Sequence, residues 1–225
     1  YNDPHAYFAL LKTNAKTASG QAKDKFHFYY DTDFWNSLSE AGVIAGYGAQ
    51  WFIVRETPPR EIVVAYVEPG SPAEAEGLVR GDKVLQVDGA DLVNGGNDVV
   101  DTLNEGLWPL DEGEEHTFQI QKRSGGTDNV TMVSEQIVTQ PVSHSVLAGN
   151  VGYILFNDHI ATSEGPLIQA FQELKTAGVT DLVLDLRYNG GGYLGIASEV
   201  AYMVAGAKTQ GQVFEEITFN DKHPT

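Results

Sequence analysis

The run Asp185-Leu186-Arg187-Tyr188-Asn189-Gly190-Gly191-Gly192 joins a charged strand end to three consecutive glycines, and it is the place in this sequence best suited to chemistry. Without side chains, a glycine turn lets a ligand approach the main chain and leaves N–H groups to face negative charge. Such a turn suits either an anionic ligand or an oxyanion that forms while a carbonyl is under attack. Asp185 and Arg187 alternate along the strand and therefore share a face, where we read them as a buried structural ion pair that holds the turn, the other reading being contact with substrate. Asn189 braces the turn through its side-chain amide, the other reading being tolerance of left-handed backbone.

Other residues imitate chemistry here. Ala197-Ser198-Glu199 and Thr162-Ser163-Glu164 each place a serine beside an acid, but Ser198 lies on the helix after the glycines and Ser163 reads as the cap of an amphipathic helix; neither sits in a nucleophile elbow. Gly190 to Gly195 formally matches G-x-G-x-x-G between a strand and a helix, with Glu215 and Glu216 further on, so a dinucleotide-binding oxidoreductase is a rival reading. The charged end of the strand argues against it. His5, His27, His116, His144, His159 and His223 show no metal-ligand spacing and are read as ordinary surface or core residues, with no metal or cofactor implied.

The elements that must position the glycine turn are a strand over 181–186 and a helix over 193–205, its apolar run being that of a strand buried on both faces. Before them come a strand over 151–156 and a helix over 163–177, and a further strand is expected over 213–219. Alternating strands and helices from about residue 141 predict an α/β layer. Upstream, short strands over 51–55, 61–67, 83–87, 115–122 and 129–137 alternate with helices over 71–77 and 97–107. At the start, Asp3-Pro4 opens a short helix with Ala6, Phe8, Leu10 and Leu11 on its apolar side, a polar stretch runs from Thr13 to Lys25, and a second short helix with Phe34, Trp35 and Leu38 ends near Gly42.

Composition narrows the partners. Of 225 residues, 42% are hydrophobic and 20% charged, which allows a sizeable core. A formal net charge of −17 repels phosphate backbones and anionic lipid headgroups, so neither nucleic acid nor membrane insertion by this segment is expected. Zero cysteines exclude disulfides, thiolate metal sites and a cysteine nucleophile. Tyr1-Asn2-Asp3-Pro4 has no signal-peptide character, so any targeting segment is expected to have been removed.

Gly46-Tyr47-Gly48-Ala49 followed by the capped helix, the Arg80-Gly81-Asp82 turn and the strand ending in Asp88-Gly89 resembles a PDZ domain of the bacterial kind. A PDZ domain adds a peptide's C-terminal segment to an open strand edge. The resemblance implies that Tyr47, Gly48 and Ala49 form the carboxylate nest, and that Val99, Val100 and Leu103 line the groove, unless these apolar residues only pack the core. Taken with Val151-Gly152-Tyr153-Ile154-Leu155-Phe156 and the Asp185–Gly192 run, the chain resembles the carboxyl-terminal processing serine peptidases of family S41. That resemblance implies an α+β multidomain protein: a short helical region over 1–45, a PDZ-like partly open barrel with two helices over 46–140, and the first part of an α/β peptidase core over 141–225. It also implies an oxyanion hole at Gly190, Gly191 and Gly192, with the attacking serine and its neutral lysine base supplied downstream of the glycine turn. The chain as it stands is then expected to be an inactive fragment, acting on polypeptides near their C-termini only when completed, in an extracytoplasmic bacterial setting, either periplasmic or anchored as a lipoprotein. A non-catalytic, PDZ-bearing peptide-binding scaffold is the remaining alternative.

Overall fold

The structure, a computed structural model, describes residues 3–24, 27–219 and 221–222. Tyr1, Asn2, Lys25 and His223, named above, lie outside the described residues. The chain divides into two units, Tyr1–Trp35 and Asn36–Thr225.

In the first unit, helix α1 (Pro4–Leu11) starts as its sequence dictates: the Asp3 carboxylate accepts the His5 N–H at 2.9 Å, and Pro4 occupies the first turn. A polar turn with a single bridge between Lys16 and Ala22 follows. His5 stacks on Tyr29 at 4.2 Å and Phe8 meets the same ring edge-on, while Tyr30 packs against Phe28, Phe34 and Trp35. Helix α2 spans Thr32–Asn36; within the second unit a π-type turn, Ser37–Ala41, is ended by Gly42 with φ of 65°.

The second unit carries β1 (Val43–Gly46), β2 (Ala49–Arg55), β3 (Glu61–Val67), α3 (Pro72–Ala75), β4 (Lys83–Val87), β5 (Ala90–Asp91), α4 (Val100–Leu107), β6 (Glu115–Gln121), β7 (Thr127–Val133), β8 (Glu135–Val138), β9 (Val142–Leu147), β10 (Val151–Phe156), α5 (Glu164–Thr176), β11 (Asp181–Asp185) and α6 (Leu194–Ala205). One sheet runs β2-β3-β4-β6-β7 with β5 beside β4, so β2 is an edge. Its strands and helices enclose a core of Tyr47, Trp51, Val64, Val84, Leu92 and Phe118 with their neighbours. No barrel closes: β1 pairs separately with β8. The single strand expected over 129–137 is therefore two. Ser134 is the reason, because it is buried and its Oγ donates to Asp111 O while accepting the Glu114 N–H, and this turns the chain from one ladder to the other. Likewise the helix over 97–107 opens with a 3-10 turn, Asn97–Val99, before α4.

The last three strands form a second sheet, β11-β10-β9, in which β10 pairs in parallel with β11 and antiparallel to β9. Helix α5 makes the crossover that a parallel pair requires. Ile154, Phe156, Leu167, Ala170, Leu174, Ile196 and Val200 make the core between sheet and helices. Two expectations need correction. The strand expected over 181–186 ends at Asp185 and is not buried on both faces: β11 is a sheet edge, Leu182 and Leu184 pack on the core between sheet and helices, and Val183, on the other face, is exposed. The strand over 213–219 does not form. Val213, Phe214, Ile217 and Phe219 lie exposed in an irregular segment that finds no described strand to pair with.

Asp82 holds the Arg80-Gly81-Asp82 turn to the β6–β7 hairpin. The carboxylate is fully buried, accepts the Arg123 N–H at 2.7 Å and the Val79 N–H at 3.1 Å, and meets Lys122 Nζ at 2.9 Å. Burial alone raises its pKa, but these donors outweigh burial and the net shift is downward. A depressed carboxyl pKa stabilises the fold above the unfolded value of about 4 and ceases to do so as pH falls below it. Asp82→Ala is expected to lower stability by about 3 kcal/mol in urea unfolding at neutral pH. Asp82→Asn is expected to flatten the loss of stability on acidification relative to the native chain.

Candidate active site

The glycine turn sits where β11 ends, beside the end of β10. β11 stops at Asp185 because the Arg187 N–H turns back to the Asp185 carboxylate at 3.1 Å. The Arg187 guanidinium closes on the same carboxylate through Nε and a terminal nitrogen, and Tyr153 on β10 donates its hydroxyl to it at 2.6 Å. The two residues thus pair directly, with the acid buried and the arginine side chain 62% exposed. Arg187, and after it the Tyr153 hydroxyl, hold the Asp185 carboxyl well below the usual carboxylate range, while the same bond to Asp185 pushes the Tyr153 phenol upward.

Asn189 has the brace geometry. Its Nδ2 donates to Phe156 O at 2.9 Å, and its Oδ1 accepts the Gly191 N–H at 2.8 Å. The turn is also laced to the segment after β10: the His159 N–H donates to Gly191 O at 3.0 Å and the Tyr193 N–H to His159 O at 2.8 Å. Among the described residues no hydrogen bond engages the N–H of Gly190 or Gly192, and both residues are exposed. Gly192 must be glycine, since its φ is 135° and a Cβ there would stand 2.4 Å from His159 O. Gly190 has open space around it. The three glycines therefore differ: Gly191 has its amide tied internally, whereas Gly190 and Gly192 keep theirs.

Tyr188 was not singled out from the sequence. Its ring meets Tyr66 of β3 at 5.6 Å and lies under the Arg80 guanidinium at 5.1 Å, while Arg80 donates to Ala65 O. One residue of the motif thus seats the glycine turn against the upstream sheet. Burial first, then the nearby carboxylates of Glu68 and Asp158, push the Tyr66 phenol upward; burial likewise raises the carboxyl pKa of both acids. His159 was read as an ordinary residue, yet it lies within the turn's hydrogen-bonded frame, with Nδ1 at 2.7 Å from Asn189 Oδ1. Thirty residues separate His159 from Asn189, and the parallel pairing of β10 with β11, the Asn189 bond to Phe156 and the bridge between His159 and Gly192 bring the segments together, so no local spacing signalled the pair.

The imitators are accounted for by their partners. Ser198 donates to Glu215, which lies in the irregular segment and not at the end of a following strand as a dinucleotide site needs. Ser163 stands at the start of α5 but does not cap it: its Oγ donates to Asp158 O at 2.7 Å because a 3-10 turn, Ala161–Ser163, precedes the helix. Among the described residues no group of three or more His, Cys, Asp or Glu could hold a metal ion.

Upstream, of the residues matched to a carboxylate nest, Tyr47 and Gly48 precede the edge strand β2 and Ala49 is its first residue. The Tyr47 carbonyl accepts the Ala73 N–H and the Gly48 carbonyl the Glu68 N–H, while no turn or loop hydrogen bond of the described residues uses the N–H of either. The Tyr47 side chain points into the core, edge-on to Phe118, where burial, and then Glu114 and Asp88, push its phenol upward. Gly48 has φ of 75°, and a Cβ there would meet Ser71 Cβ at 2.3 Å. Ala49 and Val99 are half-buried against the core, Val100 is half-buried, and Leu103 is buried within the core. Trp51, whose Nε1 donates to Leu107 O at 2.9 Å, ties β2 to the end of α4.

Gly192→Ala is expected to cost about 2 kcal/mol or more, from left-handed strain and the clash with the His159 carbonyl. Gly190→Ala is expected to stay within about 0.5 kcal/mol. Denaturant unfolding of both variants measures the difference.

Residues 150–223 match the family model described as peptidase family S41, and residues 63–105 match the PDZ domain model. The carboxyl-terminal-processing protease of a Picosynechococcus species is 32% identical over 170 residues, covering 73% of this chain and 39% of that protein. The carboxy-terminal processing protease CtpA of Bacillus subtilis is 27% identical over 176 residues, covering 76% of this chain and 35% of that protein. A solved structure described as an S41 protease from Bacteroides fragilis shares the fold, with a TM-score of 0.54 at 23% identity over 94% of this chain and 62% of that one. The chain therefore spans well under half the length of these curated relatives. Among the described residues no helix is long and apolar enough to cross a membrane. In the order of its two matched segments, PDZ domain and then peptidase family S41, the chain is similar to the carboxyl-terminal-processing proteases.

Proposed function

We propose that this chain is the substrate-selecting and oxyanion-holding part of a serine endopeptidase that cleaves polypeptides chosen near their C-termini. In this reading residues 1–45 are an N-terminal helical region, 46–140 the PDZ domain and 141–225 the first part of the peptidase core. The observation that carries it is the unequal bonding of the glycine turn: Asn189 ties Gly191, while the N–H groups of Gly190 and Gly192 stay unengaged at an exposed site. Bare amides held by a rigid frame stabilise a developing oxyanion without reorganising during the reaction. A serine and a neutral lysine, supplied by sequence beyond the glycine turn, attack the carbonyl and take the proton; lysine serves as base only where desolvation lowers its pKa. Asp185, Arg187 and Asn189 shape the turn and do not meet substrate.

The PDZ domain's part follows from its edge. A peptide adds to β2 as an extra strand, its carboxylate on the N–H groups of the Tyr47-Gly48-Ala49 loop and its apolar side chains between β2 and the Val99–Leu103 stretch. An extracytoplasmic setting in a bacterium, with anchoring through lipid as one form of it, is part of this reading; relatives of the chain include proteins from bacteria.

Two measurements test this. Calorimetric titration with an apolar-ended peptide is expected to give micromolar affinity, weakened about tenfold or more when the terminal carboxylate is amidated; equal affinity of the two peptides would contradict the carboxylate nest. A form of the protein extended to include the serine and lysine is expected to cleave such peptides, and replacing that serine with alanine to abolish cleavage. Cleavage that survives the replacement would overturn the peptidase reading.

A further inference from the structure

We propose that His159 is a positioning residue of the glycine turn: its Nδ1–H donates to Asn189 Oδ1 and so keeps Asn189 on the Gly191 amide while Gly190 and Gly192 stay unengaged. The inference deepens the oxyanion reading and rests on it for its catalytic consequence.

The hydrogen-bond pattern fixes the proton. Asn189 has its amide orientation set by two main-chain partners, since Nδ2 faces the Phe156 carbonyl and Oδ1 faces the Gly191 N–H. Oδ1 only accepts, so the His159 nitrogen 2.7 Å away must carry hydrogen, and the neutral ring is the Nδ1–H tautomer. The Phe156 ring, centred 4.4 Å from that of His159, limits its rotation. His159 therefore grips the turn at three atoms: its N–H on Gly191 O, its carbonyl on the Tyr193 N–H, and its ring on Asn189. Asn189 alone accepts from Gly191 with one lone pair; a second donor on the other lone pair opposes rotation of its amide away from the turn. Were the amide to rotate, Gly191 would lose its partner and the turn its fixed shape, which preorganised oxyanion stabilisation requires.

Two substitutions separate this role from general packing. Asparagine places a side-chain NH2 near the position of Nδ1, and glutamine places one near Nε2. The readouts are the ring 15N shifts of His159 in the native chain, taken where the ring is neutral, and the hydrogen-exchange rate of the Gly191 amide. The expected results are the Nδ1–H tautomer, exchange within about threefold of native in His159→Asn, and exchange faster by about tenfold or more in His159→Gln. An Nε2–H tautomer, or equal exchange in the two variants, would overturn the assignment, and the tautomer measurement holds even if a variant fails to fold. In the extended, serine-containing protein His159→Gln is expected to lower kcat by about 100-fold with KM little changed. Faster exchange with kcat unchanged would leave His159 as the positioning residue and overturn the oxyanion reading instead.

Discussion

Everything at the candidate site depends on one amide side chain. Asn189 ties the carbonyl at the end of β10 to the turn after β11, and its oxygen takes the Gly191 amide and the His159 ring together. Three glycines in succession would otherwise sample a wide range of backbone conformations, and freedom of that kind opposes any site that must be shaped before its ligand arrives. The brace removes that freedom at the middle residue. It leaves the amides on either side unbonded, ahead of the start of α6.

The pair of Asp185 and Arg187 performs a second task. By folding its main-chain N–H and guanidinium back on Asp185, Arg187 ends the strand and delivers Tyr188 and Asn189 to opposite duties. Asn189 faces the layer of β9, β10 and β11, and Tyr188 faces Tyr66 and Arg80 on the side of the upstream sheet. A residue next to the glycine turn is therefore in physical contact with β3, the strand that pairs with the open edge strand β2.

Much of this was legible in the sequence, and the reasons are local. The strands over 61–67, 83–87 and 151–156 carry strong apolar patterns bounded by turn residues and form as read. Asp3, the proline after it and the Ser71–Glu74 pair mark helix starts by hydrogen bonds that involve near neighbours only, including Glu74 reaching back to the Gly70 N–H at 2.6 Å. The local half of the Asn189 brace was legible for the same reason, since the Gly191 N–H that its side chain accepts is two residues away, whereas its bonds to Phe156 and His159 were not. What the sequence did not disclose depends on distant pairing. Ser134 divides a strand because Asp111 and Glu114 lie opposite it, the 213–219 segment stays irregular for want of a neighbouring strand among the described residues, and His159 and Tyr188 find partners 30 or more positions away.

The most direct test is a crystal structure of the extended, serine-containing protein with a peptide boronate bound to that serine. The account predicts a boronate oxygen within about 3 Å of the N–H of Gly190 or Gly192, with the Asn189 bond to Gly191 intact. An adduct whose oxygens all face away from both amides would contradict it.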